Sequence, residues 1–261
     1  MKIVVVFFLT FFCFSGPLSA QNRFSTFEIQ SQPLDTVKKI WVYLPLNYET
    51  SNKKYPVIYM HDAQNLFDAS SSYAGEWRID ETLDSLKANV IVIGIEHGNH
   101  KRLEELTPYK NEKYGGGKAD AYLNFIVSEL KPYVDKTYRT KSKKRHTAIM
   151  GSSLGGLVSY YAGLKYPQVF GKVGSFSPSF WFSEEIYQWT KATKKINTKI
   201  YFMCGSNESE DMVSDMNRMM QLIREKRCDC LNLMNYAIVK DGKHNEKLWA
   251  KEFAKAYLWL F

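Results

Sequence analysis

Cysteine is scarce in this chain of 261 residues: only Cys13, Cys204, Cys228 and Cys230 occur. So few cysteines exclude a fold held mainly by disulfides, and their spacing lacks the separated pairs that a tetrahedral zinc site takes. Cys13 lies in an N-terminal apolar run, which leaves three that cannot all pair with one another. With 8 prolines and 15 glycines, the chain has no Pro/Gly-rich linker, and no low-complexity stretch or internal repeat marks a second domain. Beyond the first twenty residues, nothing approaches the roughly 20 consecutive apolar residues that cross a bilayer.

The N-terminus carries Lys2, an apolar run from Ile3 to Phe14, then Ser15, Gly16 and Pro17, with Ser19 and Ala20 as small residues at a cut site. This order is that of a secretory signal peptide spanning residues 1–20. The run is short for an uncleaved anchor and a helix breaker follows it, so the expectation is a secreted or periplasmic protein without stable membrane insertion. Cys13 is preceded by Phe11 and Phe12 rather than by small residues, which argues against a lipid-modified cysteine. Residues 21–261 then form one domain, a size at which a single large core is normal. The formal charge is +8, from 35 basic and 27 acidic residues. Its densest cluster, Lys141, Lys143, Lys144 and Arg145, directly precedes an apolar strand and lacks any interleaved aromatic platform. It reads as a solvated loop, and no nucleic-acid partner is expected.

After residue 37, short apolar runs alternate with amphipathic stretches, the pattern of a largely parallel sheet with helices on both faces. Strands are predicted at Val37–Leu44, Val57–Met60, Val90–Ile95, Thr147–Met150, Lys172–Phe176, Lys199–Met203 and Asn235–Val239. Helices are predicted at Asp80–Lys87, Ala119–Val134, Leu154–Lys165, Glu184–Lys191, Asp211–Lys226 and Asn245–Trp259. One long irregular segment, His97 to Lys118, contains Gly115, Gly116 and Gly117 in a row; long loops of this kind commonly carry function, and it is read as a cleft wall.

Gly151-Ser152-Ser153-Leu154-Gly155 fits the G-x-S-x-G nucleophile elbow centred on Ser153. The motif is short, and its context gives it weight: a strand ends at Met150 and a helix begins at Leu154, with glycines where side chains would collide as the chain reverses. A nucleophile at Ser152 would instead be flanked by Met150 and Leu154. The start of the helix also aims N–H groups at the site where negative charge develops during attack on a carbonyl.

A serine hydroxyl needs a base, and the base needs a carboxylate to fix its tautomer. In the α/β-hydrolase fold the chain order is Ser, Asp or Glu, then His. Of five histidines, His244 alone follows Ser153, in a glycine-containing loop after the last strand. The acid belongs after the preceding strand, where Glu208, Glu210 and Asp211 are available; Glu210 and Asp211 also suit a helix N-terminus. An oxyanion hole takes one N–H from Leu154 and a second from the loop after an early strand, here Ala63 or Gln64. His61 and Asp62 precede the nucleophile and read as packing or loop-anchoring residues.

With these elements in place, the chain resembles the esterase D-like family of α/β hydrolases, which includes feruloyl and acetylxylan esterases, siderophore esterases, S-formylglutathione hydrolases and mycolyltransferases. The resemblance spans about residues 37–260 and rests on the elbow with YMHDAQNLFD (59–68), EWRIDETLDSL (76–86), FSPSFWF (176–182), CGSNESE (204–210) and DGKHNEKLW (241–249). It implies Glu208 as the acid, three residues after the glycine that ends the strand. Relatives often have glycine where this chain has Ala63. The resemblance further implies a secreted serine esterase that forms an acyl-enzyme, needs no metal or cofactor, and acts on a small-molecule or glycan ester. An acyltransferase, or a binding protein on the same scaffold, is the alternative. Trp77, Tyr109, Tyr114, Phe180 and Trp181 are candidates to border the cleft, with Trp77, Tyr114 and Trp181 assigned to substrate. The gaps between elements leave no room for a large lid.

Overall fold

Parallel strands covered by helices on both faces have no solvent side, so they read as unbroken apolar runs. Val57–His61 (β3), Ile91–Ile95 (β4) and Thr147–Ser152 (β7) are buried at every position. Their side chains alternate between two cores: Val57 and Tyr59 face one, Ile58 and Met60 the other. The computed structural model describes residues 24–73, 75–226 and 233–261. Residues 1–20, where a signal peptide is expected, and Cys228 and Cys230 lie outside the described residues. Cys204 is a buried free thiol, pushed up to about 12 by burial and then by the charge of Glu208.

On one side of β7 the sheet continues in parallel through Lys172–Phe176 (β8), Lys199–Gly205 (β9) and Met234–Val239 (β10). On the other, β3 pairs with β4 in parallel, and β4 pairs antiparallel with Thr36–Tyr43 (β2). The outermost strand, Phe24–Ser31 (β1), was not predicted; it pairs antiparallel with β2 from Phe24 opposite Tyr43 to Ser31 opposite Thr36. The eight-stranded order is β1-β2-β4-β3-β7-β8-β9-β10. Hence β7 is central, and its C-terminal end is flanked by those of β3 and β8, where α/β sheets place their ligands.

Ile79–Ser85 (α1) and Glu246–Leu260 (α8) cover one face with Leu83, Trp249, Phe253 and Leu260. The other face is covered by Ala119–Phe125 (α3), Lys131–Thr137 (α4), Leu154–Lys165 (α5), Glu185–Ala192 (α6) and Met212–Glu225 (α7). α3 and α4 are joined by a π-helical turn at Ile126–Leu130, so the helix predicted at 119–134 runs on to Thr137. That wider turn directly precedes Pro132, which has no N–H to offer the carbonyl of Ser128.

The segment predicted as irregular is folded. It holds a 3-10 turn at Asn99–Lys101, a short helix at Arg102–Leu106 (α2), and a hairpin of Lys110–Asn111 (β5) with Gly115–Gly116 (β6). Gly115, Gly116 and Gly117 all have positive φ, and a Cβ on Gly116 would strike Thr107 Oγ1. Glu105 ties the segment to the sheet: Lys38 Nζ on β2 donates to Oε2 at 2.9 Å, and Gly98 N donates to the same oxygen at 3.1 Å. Both ionic side chains are buried.

A buried ion pair that loses one partner leaves an uncompensated charge, costing about 3–5 kcal/mol. Glu105→Leu should therefore lower unfolding free energy in urea by about that amount. Lys38→Met combined with Glu105→Leu should lose less than the single substitution.

Candidate active site

The chain reverses at Ser153, which stands between β7 and α5 with φ 57° and ψ −121°, a conformation rare for a residue with a side chain. Its N–H donates to Phe176 O at 2.9 Å, and its carbonyl accepts from Leu157 N at 3.0 Å and Ser179 N at 3.1 Å. The reversal requires bare backbone on both sides. A Cβ on Gly151 would sit 2.9 Å from Gly155 and from the His61 ring, and one on Gly156 would sit 2.7 Å from Phe176 O. Ser152 remains within β7. His61 thus packs beneath the elbow, with Nδ1 2.7 Å from Tyr122 Oη, and burial pushes its pKa down to about 4.

The ends of β9 and β10 bring the acid and base together. His244 Nδ1 lies 2.8 Å from Glu208 Oε2, and the Glu208 side chain is only 1% exposed. Its other oxygen accepts from Ser177 Oγ at 2.7 Å and from Gly205 N. Ser177 in turn accepts from Trp249 Nε1 at 2.8 Å, and the Trp249 ring meets His244 edge to face. Both oxygens of the carboxylate thus face donors, one at Oε2 and two at Oε1, which fixes its direction. Glu210 and Asp211 are exposed, and Asp211 stands at the N-cap position of α7 without a side-chain hydrogen bond to the helix. Gly205 and Gly242 touch backbone to backbone, and a Cβ on Gly205 would overlap the Gly242 carbonyl. Ser153 and His244 line one cleft, where Ser153 Oγ lies 3.2 Å from Ser179 Oγ.

Opposite them, Asp62 takes the left-handed conformation (φ 57°, ψ 49°) and starts the 3-10 turn Ala63–Asn65. Leu154 is the first residue of α5, where an N–H has no acceptor inside the helix. The methyl group of Ala63 points into the core above Gly94, a position that carries no side chain. Side chains hold the turn outward. Arg102 Nε and Nη2 donate to the two oxygens of Asp62 at 2.7 and 2.8 Å. Gln64 exchanges two hydrogen bonds with the His97 backbone, and Asn65 Nδ2 donates to Glu246 Oε1 at 3.2 Å. Burial opposes ionisation of Asp62, but the charge and hydrogen bonds of Arg102 outweigh it and hold the carboxyl below its usual range. Burial, followed by Asp62, raises Glu246.

The cleft encloses about 530 Å³ and is lined by the polar residues Gln64, Asn65, Ser71, His97, Asn99 and Arg102 together with Trp249 and Tyr73, so that it offers apolar as well as polar surface. Arg102, His97, Ser177 and Ser179 were not singled out from the sequence. Trp77 corrects an expectation. It is 3% exposed and packs against Phe176, Trp249 and Phe253, because the left-handed turn at Arg78 sends it into the core beneath α8. Phe180 is buried as well, and Tyr109 packs on Tyr161. Tyr114 and Trp181 are 47% and 53% exposed and meet edge to face, outside the residues that line the cleft. Among the described residues, one carboxylate group has metal-ligating proximity: Glu76, Asp80 and Glu81 within 4.8 Å at the start of α1, none lining the cleft.

The sequence model of the family described as "Putative esterase" matches residues 31–260. An uncharacterized protein of Bacillus subtilis (strain 168), YbbA, is 29% identical over 244 residues, covering 86% of this chain and 92% of that protein. An endo-1,4-beta-xylanase/feruloyl esterase of Xylanibacter ruminicola is 27% identical over 180 residues, 66% of this chain and 23% of that protein. Among solved structures, the enterobactin esterase FES from Shigella flexneri superposes with a TM-score of 0.74 at 17% identity, covering 93% of this chain and 60% of that one. The fold shared with it is the α/β hydrolase fold.

Two outcomes follow. His61 has its pKa depressed from the usual 6.5 to about 4, so its contribution is complete above pH 6.5 and is lost as pH falls toward 4. Wild type should lose about 3 kcal/mol more than His61→Gln between pH 7.5 and 4, measured by urea unfolding. Gly205→Ala, which drives a methyl group into the Gly242 carbonyl, should displace the His244 loop and abolish most activity while leaving a folded protein by circular dichroism.

Proposed function

From its membership of the esterase family, which makes this chain a carboxylic-ester hydrolase, we propose that it works through an acyl-enzyme on Ser153, with His244 as base and Glu208 as the orienting acid. The observation that carries this is the buried Glu208 carboxylate 2.8 Å from His244 Nδ1, in a cleft shared with a serine on a strained strand-to-helix turn. A carboxylate at Nδ1 holds the proton there and leaves Nε2 to accept. Nε2 takes the Ser153 proton as Oγ attacks the ester carbonyl, then delivers it to the leaving alcohol. Water enters by the same route in reverse and releases the acid. The developing oxyanion is assigned to the N–H of Leu154 and that of Ala63 or Gln64, preorganised dipoles of the kind that supply the largest catalytic terms. None of these steps calls for a metal or cofactor.

The substrate is read as a small-molecule or glycan ester, with the exposed Tyr114 and Trp181 offering a stacking surface beyond the cleft. The polar side chains along the cleft, among them Gln64, Asn65 and Asn99, offer hydrogen-bond partners to a hydroxylated group. No described helix is long and apolar enough to cross a membrane. Together with the N-terminal sequence, this supports a single catalytic domain at residues 21–261, released to the periplasm or the exterior after cleavage of residues 1–20.

Turnover of p-nitrophenyl acetate, butyrate and laurate, methyl ferulate, acetylated xylan and a catecholate siderophore should be lost in Ser153→Ala, with fluorophosphonate labelling lost in parallel. Glu208→Gln should retain roughly 10- to 100-fold more activity than Ser153→Ala, and Glu210→Gln should match wild type. A folded wild-type protein that neither labels nor turns over would indicate a binding protein. Predominant transfer to an added polyol would indicate an acyltransferase.

A further inference from the structure

Asp62 places a carboxylate where an esterase has reason to avoid one. It lines the cleft with Ser153, and one of its oxygens is 3.4 Å from where a Cβ on Gly155 would stand, against the first turn of α5. The same residue begins the turn that carries Ala63 and Gln64. An uncompensated negative charge there would oppose the negative charge that forms on the substrate oxygen. Because the Asp62 side chain is largely buried, that opposition is weakly screened.

We infer that Arg102 is a positioning residue for the hydrolysis proposed above: it cancels the charge of Asp62, so that the turn presenting the oxyanion donors does not oppose the negative charge that forms beside it. This rests on the esterase reading of Ser153. The guanidinium fork takes both carboxylate oxygens, at 2.7 and 2.8 Å, an arrangement with directional as well as electrostatic content. Arg102 arrives from α2, on the far wall, while Asp62 follows β3. The pair therefore fastens the cleft wall to the turn, and Gln64 fastens it a second time through its two bonds to the His97 backbone. Arg102 spends Nε and Nη2 on Asp62, so its effect on the turn passes through Asp62.

Charge cancellation and simple scaffolding differ in one consequence. If Arg102 matters because it neutralises Asp62, removing both charges should restore much of what removing the arginine costs. If it matters as a brace, removing both sides should be no better than removing one.

The experiment compares wild type, Arg102→Gln, Asp62→Asn, the double variant Arg102→Gln/Asp62→Asn and Arg102→Lys. Readouts are kcat and KM on p-nitrophenyl acetate, the rate of Ser153 labelling by a fluorophosphonate, and thermal melting. Arg102→Gln should lower kcat and labelling rate about 10- to 100-fold with KM nearly unchanged, less than the roughly 100- to 1000-fold cost of removing an oxyanion donor outright. The double variant should recover to within about 10-fold of wild type, and Arg102→Lys, which keeps the charge without the fork, should fall between. Full activity in Arg102→Gln, or a double variant as slow as Arg102→Gln while still melting cooperatively, would overturn the inference. Failure of the esterase reading looks different: wild type itself would neither turn over nor label, and Ser153→Ala would be indistinguishable from it.

Discussion

The rest of the site depends on one steric constraint: the central strand must reverse into a helix within a single residue, at the middle of the sheet. Ser153 can hold φ 57° only because Gly151, Gly155 and Gly156 let β7, α5 and the His61 ring come within contact of bare backbone. The strain is offset by three backbone hydrogen bonds to the residue, two of them from the β8 region. That region also supplies Ser177, which orients Glu208. The turn that exposes Ser153 and the Glu208 carboxylate that faces His244 are thus steadied by the same short stretch, Phe176 to Ser179.

A second layer of order is polar. The early loop uses nearly every side chain after β3 as a tether: Asp62 to Arg102, Gln64 to His97, Asn65 to Glu246. Buried polar groups specify an arrangement when each is satisfied and penalise every alternative that leaves one unpaired. The cleft wall is therefore held by direction more than by bulk. A core of the same volume built from leucine would leave the wall free to slide.

Most of the fold was legible because its centre obeys one rule. Strands such as β3, β4 and β7 are uninterrupted apolar runs, and the helices between them carry clear one-sided patterns. β1 escaped because an edge strand reading Phe-Ser-Thr-Phe-Glu-Ile-Gln has a weak apolar face and gains its place only by pairing with β2. In the site, Ser153, His244 and Glu208 could be named from a local motif, chain order and a turn residue. Arg102 and Ser177 could not, since their roles arise from partners 40 and 31 residues away. Trp77 was misplaced for a related reason: between Glu76 and Arg78 it looks like a rim residue, and only the left-handed backbone at Arg78 turns it inward.

The contact of Gly205 with Gly242 sets a spacing. The loops that carry Glu208 and His244 come closest at bare main chain, where a side chain on Gly205 would force them apart. Tyr73 and Asn99, which line the cleft, hang from other loops. The spacing of the two loops and the wall of the cleft are thus set by separate stretches of chain, so a side chain on the wall can change without moving Glu208 relative to His244.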